Sequence, residues 1–199
     1  MEMTGEQLIP ASQADTWSAL NDPEVLKSCV PGCESIEHVS GNEYAVLMTA
    51  RVGPVSAKFK GKLVLSDIVP PQSYSLAFEG QGGVAGFAKG SASVRLTPKG
   101  EAETLLSYQA KANVGGKLAQ IGSRLVDAAA NKVAGEFFSA FHERMSGMHA
   151  AAAHVEHEEH LPEPVPRDPD LPDVSFGSLA FFAAGSLVVF VVALLTLLG

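Results

Sequence analysis

KLAQIGSRLVDAAANKVAGEFFSAFHERM, residues 117–145, is the stretch on which the fold turns. Leu118, Ile121, Leu125, Ala129, Val133, Phe137, Phe141 and Met145 recur at spacings of three and four, while Lys117, Arg124, Lys132 and Glu143 fall off that stripe. The period predicts one long amphipathic helix whose apolar face rests on another layer. That layer lies upstream. Glu34–Val39, Glu43–Arg51, Val55–Ile68, Ser73–Glu79, Phe87–Thr97 and Glu103–Asn113 read as strands, separated by turn signals at Gly41-Asn42, Gly53-Pro54, Pro70-Pro71 and Lys99-Gly100. In residues 58–65, Phe59, Leu63 and Leu65 share one face, so each strand has a dry and a wet side, as antiparallel sheets do.

Further out, residues 2–9 read as another strand, ending at Pro10. Ser12 opens a helix carrying Trp17 and Leu20, and Asn21-Asp22 stops it and starts a second with Pro23 in its first turn. Strand, two short helices, six strands, long helix: this order predicts an α+β domain with a curved antiparallel sheet wrapped around the C-terminal helix. A sheet bent round a helix of Ala, Leu and Phe leaves an apolar space between them, and the many Ala and Gly residues enlarge it.

Charge divides the chain into three zones. Residues 1–146 carry 13 Lys and Arg against 15 Asp and Glu and form the domain. Residues 147–173 carry one Arg and seven acids, are Pro-rich towards their end, and read as a disordered stalk. Its reach is roughly 80 Å if wholly polyproline II, or ~30 Å as a flexible coil. Residues 174–199 carry no charge. Within them Phe176–Leu198 gives 23 residues without an ionisable group, a helix of roughly 34 Å against a ~30 Å hydrocarbon core. Ser178, Ser186 and Thr196 can bond their own helix backbone. A single-pass C-terminal transmembrane anchor is expected, with the domain facing the cytoplasm, since no secretory signal is legible in MEMTGEQLIP.

Chemistry-bearing groups are sparse. Cys29 and Cys33, across Val30-Pro31-Gly32, lack the second pair that a zinc site needs, and read as reduced apolar fillers around a turn. His149, His154, His157 and His160 of the stalk have no fixed scaffold and read as solvated. His38 and His142 sit in no nucleophile or metal motif, and Glu2, Glu79 and Glu136 are scattered singly. Gly80-x-Gly82-x-x-Ala85 fits a dinucleotide fingerprint formally, but a strand pattern follows where a helix is required, so it reads as a mobile hairpin at the mouth of the pocket. No catalytic residue, metal ligand or redox motif is expected, and the net charge of −8 offers nothing to nucleic acid.

Asn21-Asp22-Pro23-Glu24-Val25-Leu26 running into Cys29-Val30-Pro31-Gly32-Cys33-Glu34, the glycine-rich Gly80–Phe87 turn, Gly122-Ser123-Arg124-Leu125 and Phe137-Phe138-Ser139-Ala140-Phe141 together resemble the carbon monoxide dehydrogenase G-subunit family (CoxG-like). That family belongs to the START/Bet v 1-like (SRPBCC) helix-grip superfamily, and the resemblance covers about residues 2–146. It implies a non-catalytic accessory protein that recruits a cytoplasmic molybdenum hydroxylase of the carbon monoxide dehydrogenase type to the membrane. An electron-delivering enzyme of that kind must reach an acceptor dissolved in the bilayer, such as a respiratory quinone. Carrying ~25 isoprenoid carbons through water costs of order 20 kcal/mol at ~0.8 kcal/mol per carbon, whereas moving them from lipid into an apolar cavity is nearly neutral. The expected ligand is therefore menaquinone, another prenyl quinone or a lipid. The expected pocket residues are Trp17, Phe59, Phe78, Phe87, Leu106, Leu118, Leu125 and Phe137. The alternatives are a pure membrane adaptor with a filled core, an assembly factor contacting its partner through the Cys29/Cys33 loop, or a hydrolase or isomerase built on the helix-grip fold.

Overall fold

The computed structural model describes residues 2–155. The remainder of the expected stalk and the expected membrane span at 174–199 lie outside the described residues. Among the described residues no helix is long and apolar enough to cross a membrane.

The alternating segments form seven strands: β1 (Glu2–Ile9), β2 (Cys33–Ser40), β3 (Glu43–Val52), β4 (Val55–Val69), β5 (Ser73–Gln81), β6 (Phe87–Pro98) and β7 (Thr104–Gly115). They make one antiparallel sheet in the order β1-β7-β6-β5-β4-β3-β2. Among the described residues β2 to β7 is thus a meander of neighbours, and only β1 joins out of sequence, onto β7. A 3-10 turn (Gly83–Ala85) links β5 to β6. Between β1 and β2 run α1 (Gln13–Leu20) and α2 (Pro23–Cys29). The Ser12 hydroxyl accepts the Asp15 N–H at 3.1 Å, and the Asp22 carboxylate accepts the Glu24 and Val25 N–H groups at 2.8 and 3.3 Å. These are the side-chain caps that the sequence promised at both helix starts.

The long helix departs from the sequence reading in two ways. It is broken: α3 covers Lys117–Ile121, Gly122 adopts a left-handed φ of +97°, and α4 runs Ser123–Val155. A glycine in that conformation ends a helical turn without steric penalty, and the helix restarts out of phase. Within the unbroken α4 the buried stripe is Val126, Ala130, Ala134, Phe137, Phe141 and Met145, since repeated steps of four overshoot the turn of about 3.6 residues and drift off one face. Ala129 and Val133 are half-buried beside it. The helix also continues past Met145 into the segment read as stalk. Four alanines at 150–153 are strong helix formers there.

Candidate ligand-binding interior

The sheet's inner face is set by strand parity. One transverse row across it is Tyr44, Leu63, Phe78, Gly90 and Ala112. The next is Val46, Gly61, Gly80, Ala88 and Val114, and another on the opposite side is Leu65, Leu76, Ala92 and Ala110. The middle of this face is thus paved with Gly61, Gly80, Ala88, Gly90, Ala92, Ala110 and Ala112. Small residues here let the sheet curl and leave depth above it.

The helix does not fill that depth with its backbone. α4 makes its close backbone approaches mainly to α2, β1 and β3, at the margins of the sheet, and less to β4–β7 at its centre. On the helix side the opposing residues Val126, Ala130 and Ala134 are also small. What lies between is a layer of side chains. Phe137 stacks on Phe141 at 5.7 Å and meets Phe138 edge-on at 5.1 Å, while Phe138 stacks on Tyr108 at 5.4 Å. Trp17 of α1 meets Tyr74 edge-on at 5.7 Å.

The structure divides the eight expected pocket residues. Trp17, Phe59, Phe78, Leu106, Leu118 and Phe137 all belong to this buried layer. Phe87 and Leu125 stand outside it, and this corrects the sequence assignment for both. Phe87 has outward parity on β6, opposite Gly115, and its ring covers the outer side of that glycine. It remains 44% exposed. Leu125 lies on the same unbroken helix as Phe137, and at about 100° per residue it faces roughly 120° away from that ring, so it is 52% exposed. Tyr44 and Tyr74, which sequence reasoning missed, are among the largest fully buried side chains. The alternation of Glu43–Val52, with Tyr44 in phase with Val46 and Met48, carried the signal for the first.

Polar groups inside are few. Thr104 Oγ1 donates to the Ala11 carbonyl at 2.9 Å, tying β7 to the β1–α1 turn. The Tyr44 hydroxyl and Thr16 Oγ1 are buried with no hydrogen-bond partner among the described residues. Burial also raises the Tyr44 pKa, so the phenol stays neutral. Buried polar atoms of this kind are the natural points at which a bound water or a carbonyl-bearing ligand would be held.

The cysteines are free thiols. Burial raises Cys29, and lifts Cys33 to about 11 against weaker help from Lys27. Both are therefore protonated near neutrality and poor nucleophiles or metal ligands. His38 Nε2 lies 2.7 Å from the Gly41 carbonyl, and its ring meets Tyr44 edge-on at 5.1 Å, so it closes the β2–β3 turn. No group of three His, Cys, Asp or Glu among the described residues could hold a metal ion. Concavities lie on the outside of the domain. One of about 500 Å³ follows the β1–α4 seam along Leu8, Phe138 and His142, and another of about 500 Å³ lies on the outer sheet face over Val64 and Ala77.

No curated protein matches the chain. Among solved structures, a conserved protein from Geobacillus kaustophilus is similar at 30% identity with a TM-score of 0.70, covering 74% of this chain and 96% of that one. A START superfamily protein from Mycobacterium smegmatis is similar at 15% identity and TM-score 0.54, covering 74% and 98%. The Zhui aromatase/cyclase from Streptomyces sp. R1128 follows at 12% identity and TM-score 0.56, covering 76% and 97%. The latter two show the fold alone, a START-type helix grip. The family profile for the G subunit of carbon monoxide dehydrogenase (CoxG) matches residues 5–146, and with that match over most of its length the chain belongs to the CoxG family.

Proposed function

We propose that this protein is a non-catalytic accessory protein that holds an apolar ligand, a prenyl quinone such as menaquinone, between its sheet and α4. It would deliver that ligand to a carbon monoxide dehydrogenase-type enzyme at the membrane. The observation that carries the reading is the Gly/Ala paving of the inner sheet beneath a helix that approaches chiefly the sheet's margins. The layer between them consists of side chains, and side chains can rotate away from an isoprenoid where a backbone cannot. Family membership supports the enzyme partner, and residues 174–199 support a membrane location with the domain on the cytoplasmic side. Dispersed acids, several of them paired with lysines, and two protonated thiols favour an accessory role over a catalytic one.

The test is mass spectrometry of organic extracts of the full chain purified from a quinone-producing host, beside the variant Ala130→Phe. About one quinone per parent chain, sharply reduced in the folded variant, is the expected result. Equal and substoichiometric quinone in both would overturn carriage. That result would favour the pure adaptor, a reading supported by the tight burial of Phe59, Leu106, Leu118 and Phe137.

A further inference from the structure

The two ends of the sheet differ in charge. One end gathers the β3–β4 hairpin, the β5–β6 connection and the β7–α3–α4 connection: β4 meets the 3-10 turn, and the turn meets α3. Residues 51–60, 80–90 and 112–126 of these segments carry Arg51, Lys58, Lys60, Lys89, Lys117 and Arg124, and no acid. The opposite end, built from residues 10–15, 37–43, 66–72 and 98–104, carries six acids and one lysine. Lys58 is bonded to Glu34 at 2.7 Å, and Glu79 stands opposite Lys89 across the β5–β6 pair, so the remaining cations dominate the basic end. Some apolar side chains protrude at this end: Val84, at the tip of the 3-10 turn, is 84% exposed, Leu125 52% and Phe87 44%. Protruding aliphatic groups at a cation-rich end suit the boundary between acyl chains and anionic headgroups.

We propose that this end of the domain docks on an anionic bilayer surface, with Val84 and Leu125 entering the interface and Lys60, Lys117 and Arg124 facing the headgroups. The charge pattern supplies the orientation, because the acidic end is repelled from the same surface. The chain allows the pose: 18 residues separate Val155 from residue 174, and at ~3.3 Å each they reach about 60 Å, enough to run back along α4. The proposal rests on the carrier reading, since this end brings the rim of the helix grip to the lipid that would supply the ligand.

The full chain is reconstituted into phosphatidylcholine vesicles with and without phosphatidylglycerol, with an environment-sensitive fluorophore on Val84→Cys, Leu125→Cys or Val39→Cys. Val39, near the acidic end, is 56% exposed. The native thiols are shielded and protonated and label slowly. Labels at 84 and 125 are expected to be quenched by acyl-brominated lipid in anionic vesicles, and the label at 39 is not. Lys60→Glu/Lys117→Glu/Arg124→Glu should lower the docked fraction roughly tenfold with unchanged melting. Hydrogen exchange of the unlabelled chain should slow over residues 82–87 in anionic vesicles only. Equal quenching at all three sites, none at 84 and 125, or indifference to phosphatidylglycerol overturns the proposal. So does protection of 82–87 by the dehydrogenase but not by lipid, which would make the basic end a protein interface. Quinone retained per chain is measured in the same samples: its absence alongside intact docking sinks the carrier reading alone, and its presence without docking sinks this proposal alone.

Discussion

Phe137→Ala separates the energetic role of the aromatic layer from its role in ligand carriage. Phe137 is fully buried on α4 and contacts two further rings, Phe138 at 5.1 Å and Phe141 at 5.7 Å. Its neighbours sit on a helix held at both sheet margins, so the site cannot collapse freely and a large share of the cavity term should persist. Truncating a buried Phe to Ala under such conditions destabilises by about 3–5 kcal/mol. At about 2–4 °C per kcal/mol for a domain of this size, the melting point should fall by roughly 10 °C. Urea unfolding of the full chain, followed by near-ultraviolet dichroism, reads the change directly. Carriage adds a second consequence. A ligand that binds only the folded state restores stability by RT ln(1 + [L]/Kd), about 2.7 kcal/mol at a hundredfold excess over Kd. Decylubiquinone should therefore recover part of the lost midpoint in Phe137→Ala. A loss below about 1 kcal/mol without ligand would refute the packing argument. A full loss with no recovery would leave the layer as core.

Gly86→Ala should destabilise by roughly 2 kcal/mol or more, because φ is +118° and an added Cβ would collide with the Gly115 carbonyl. Gly100→Ala, which meets open space, should stay within ~0.5 kcal/mol in the same thermal melts. Asp22→Ala removes the acceptor for two N–H groups at the start of α2 and should cost about 1 kcal/mol, with Asp22→Asn retaining most of it. Cys33 predicts a pH effect. Its pKa is raised to about 11 in the folded protein from an ordinary 9.0, so its contribution to stability is complete below about pH 9 and fades as pH climbs towards 11. Alkylation by iodoacetamide at about pH 8 should accordingly be much slower for the native chain than for the urea-unfolded one, and equal rates would contradict it.

Most of the fold was legible because it is written in local patterns. Alternation in residues 58–65 and the caps at Ser12 and Asp22 are interactions between near neighbours, which a sequence displays openly. The break between α3 and α4 was not, since a single residue decides it. Gly122 is a weak helix former in any sequence, but only tertiary context determines whether it stays helical or turns left-handed. The stripe inside α4 was misread by another route: stepping back from Phe137 by fours drifts about 40° per step, so that Leu125 and Ala129 stand where Val126 and Ala130 belong. Phe87 failed for a different reason: its hydrophobicity suggested the interior, while strand parity with Ala88, Ala92 and Val94 directs it outward. The interior was visible as a class of residues, small on the sheet and aromatic on the helix. Its finer membership depended on cross-strand rows that no linear spacing reveals.

The out-of-sequence place of β1 has a consequence for the order of assembly. Every other strand pair closes through a short turn, but Glu2–Ile9 must wait for residues 104–111, about a hundred residues later. Loop-closure entropy makes such a pairing slow relative to the hairpins of the meander. The β2–β7 meander should therefore form first and expose its β7 edge, with β1 and α4 arriving to seal it. Pulse-labelled hydrogen exchange would show amides of residues 2–9 protected last, and early protection there would rule this sequence of events out. During that interval the unpaired edge of β7 is the surface most open to pairing with another chain.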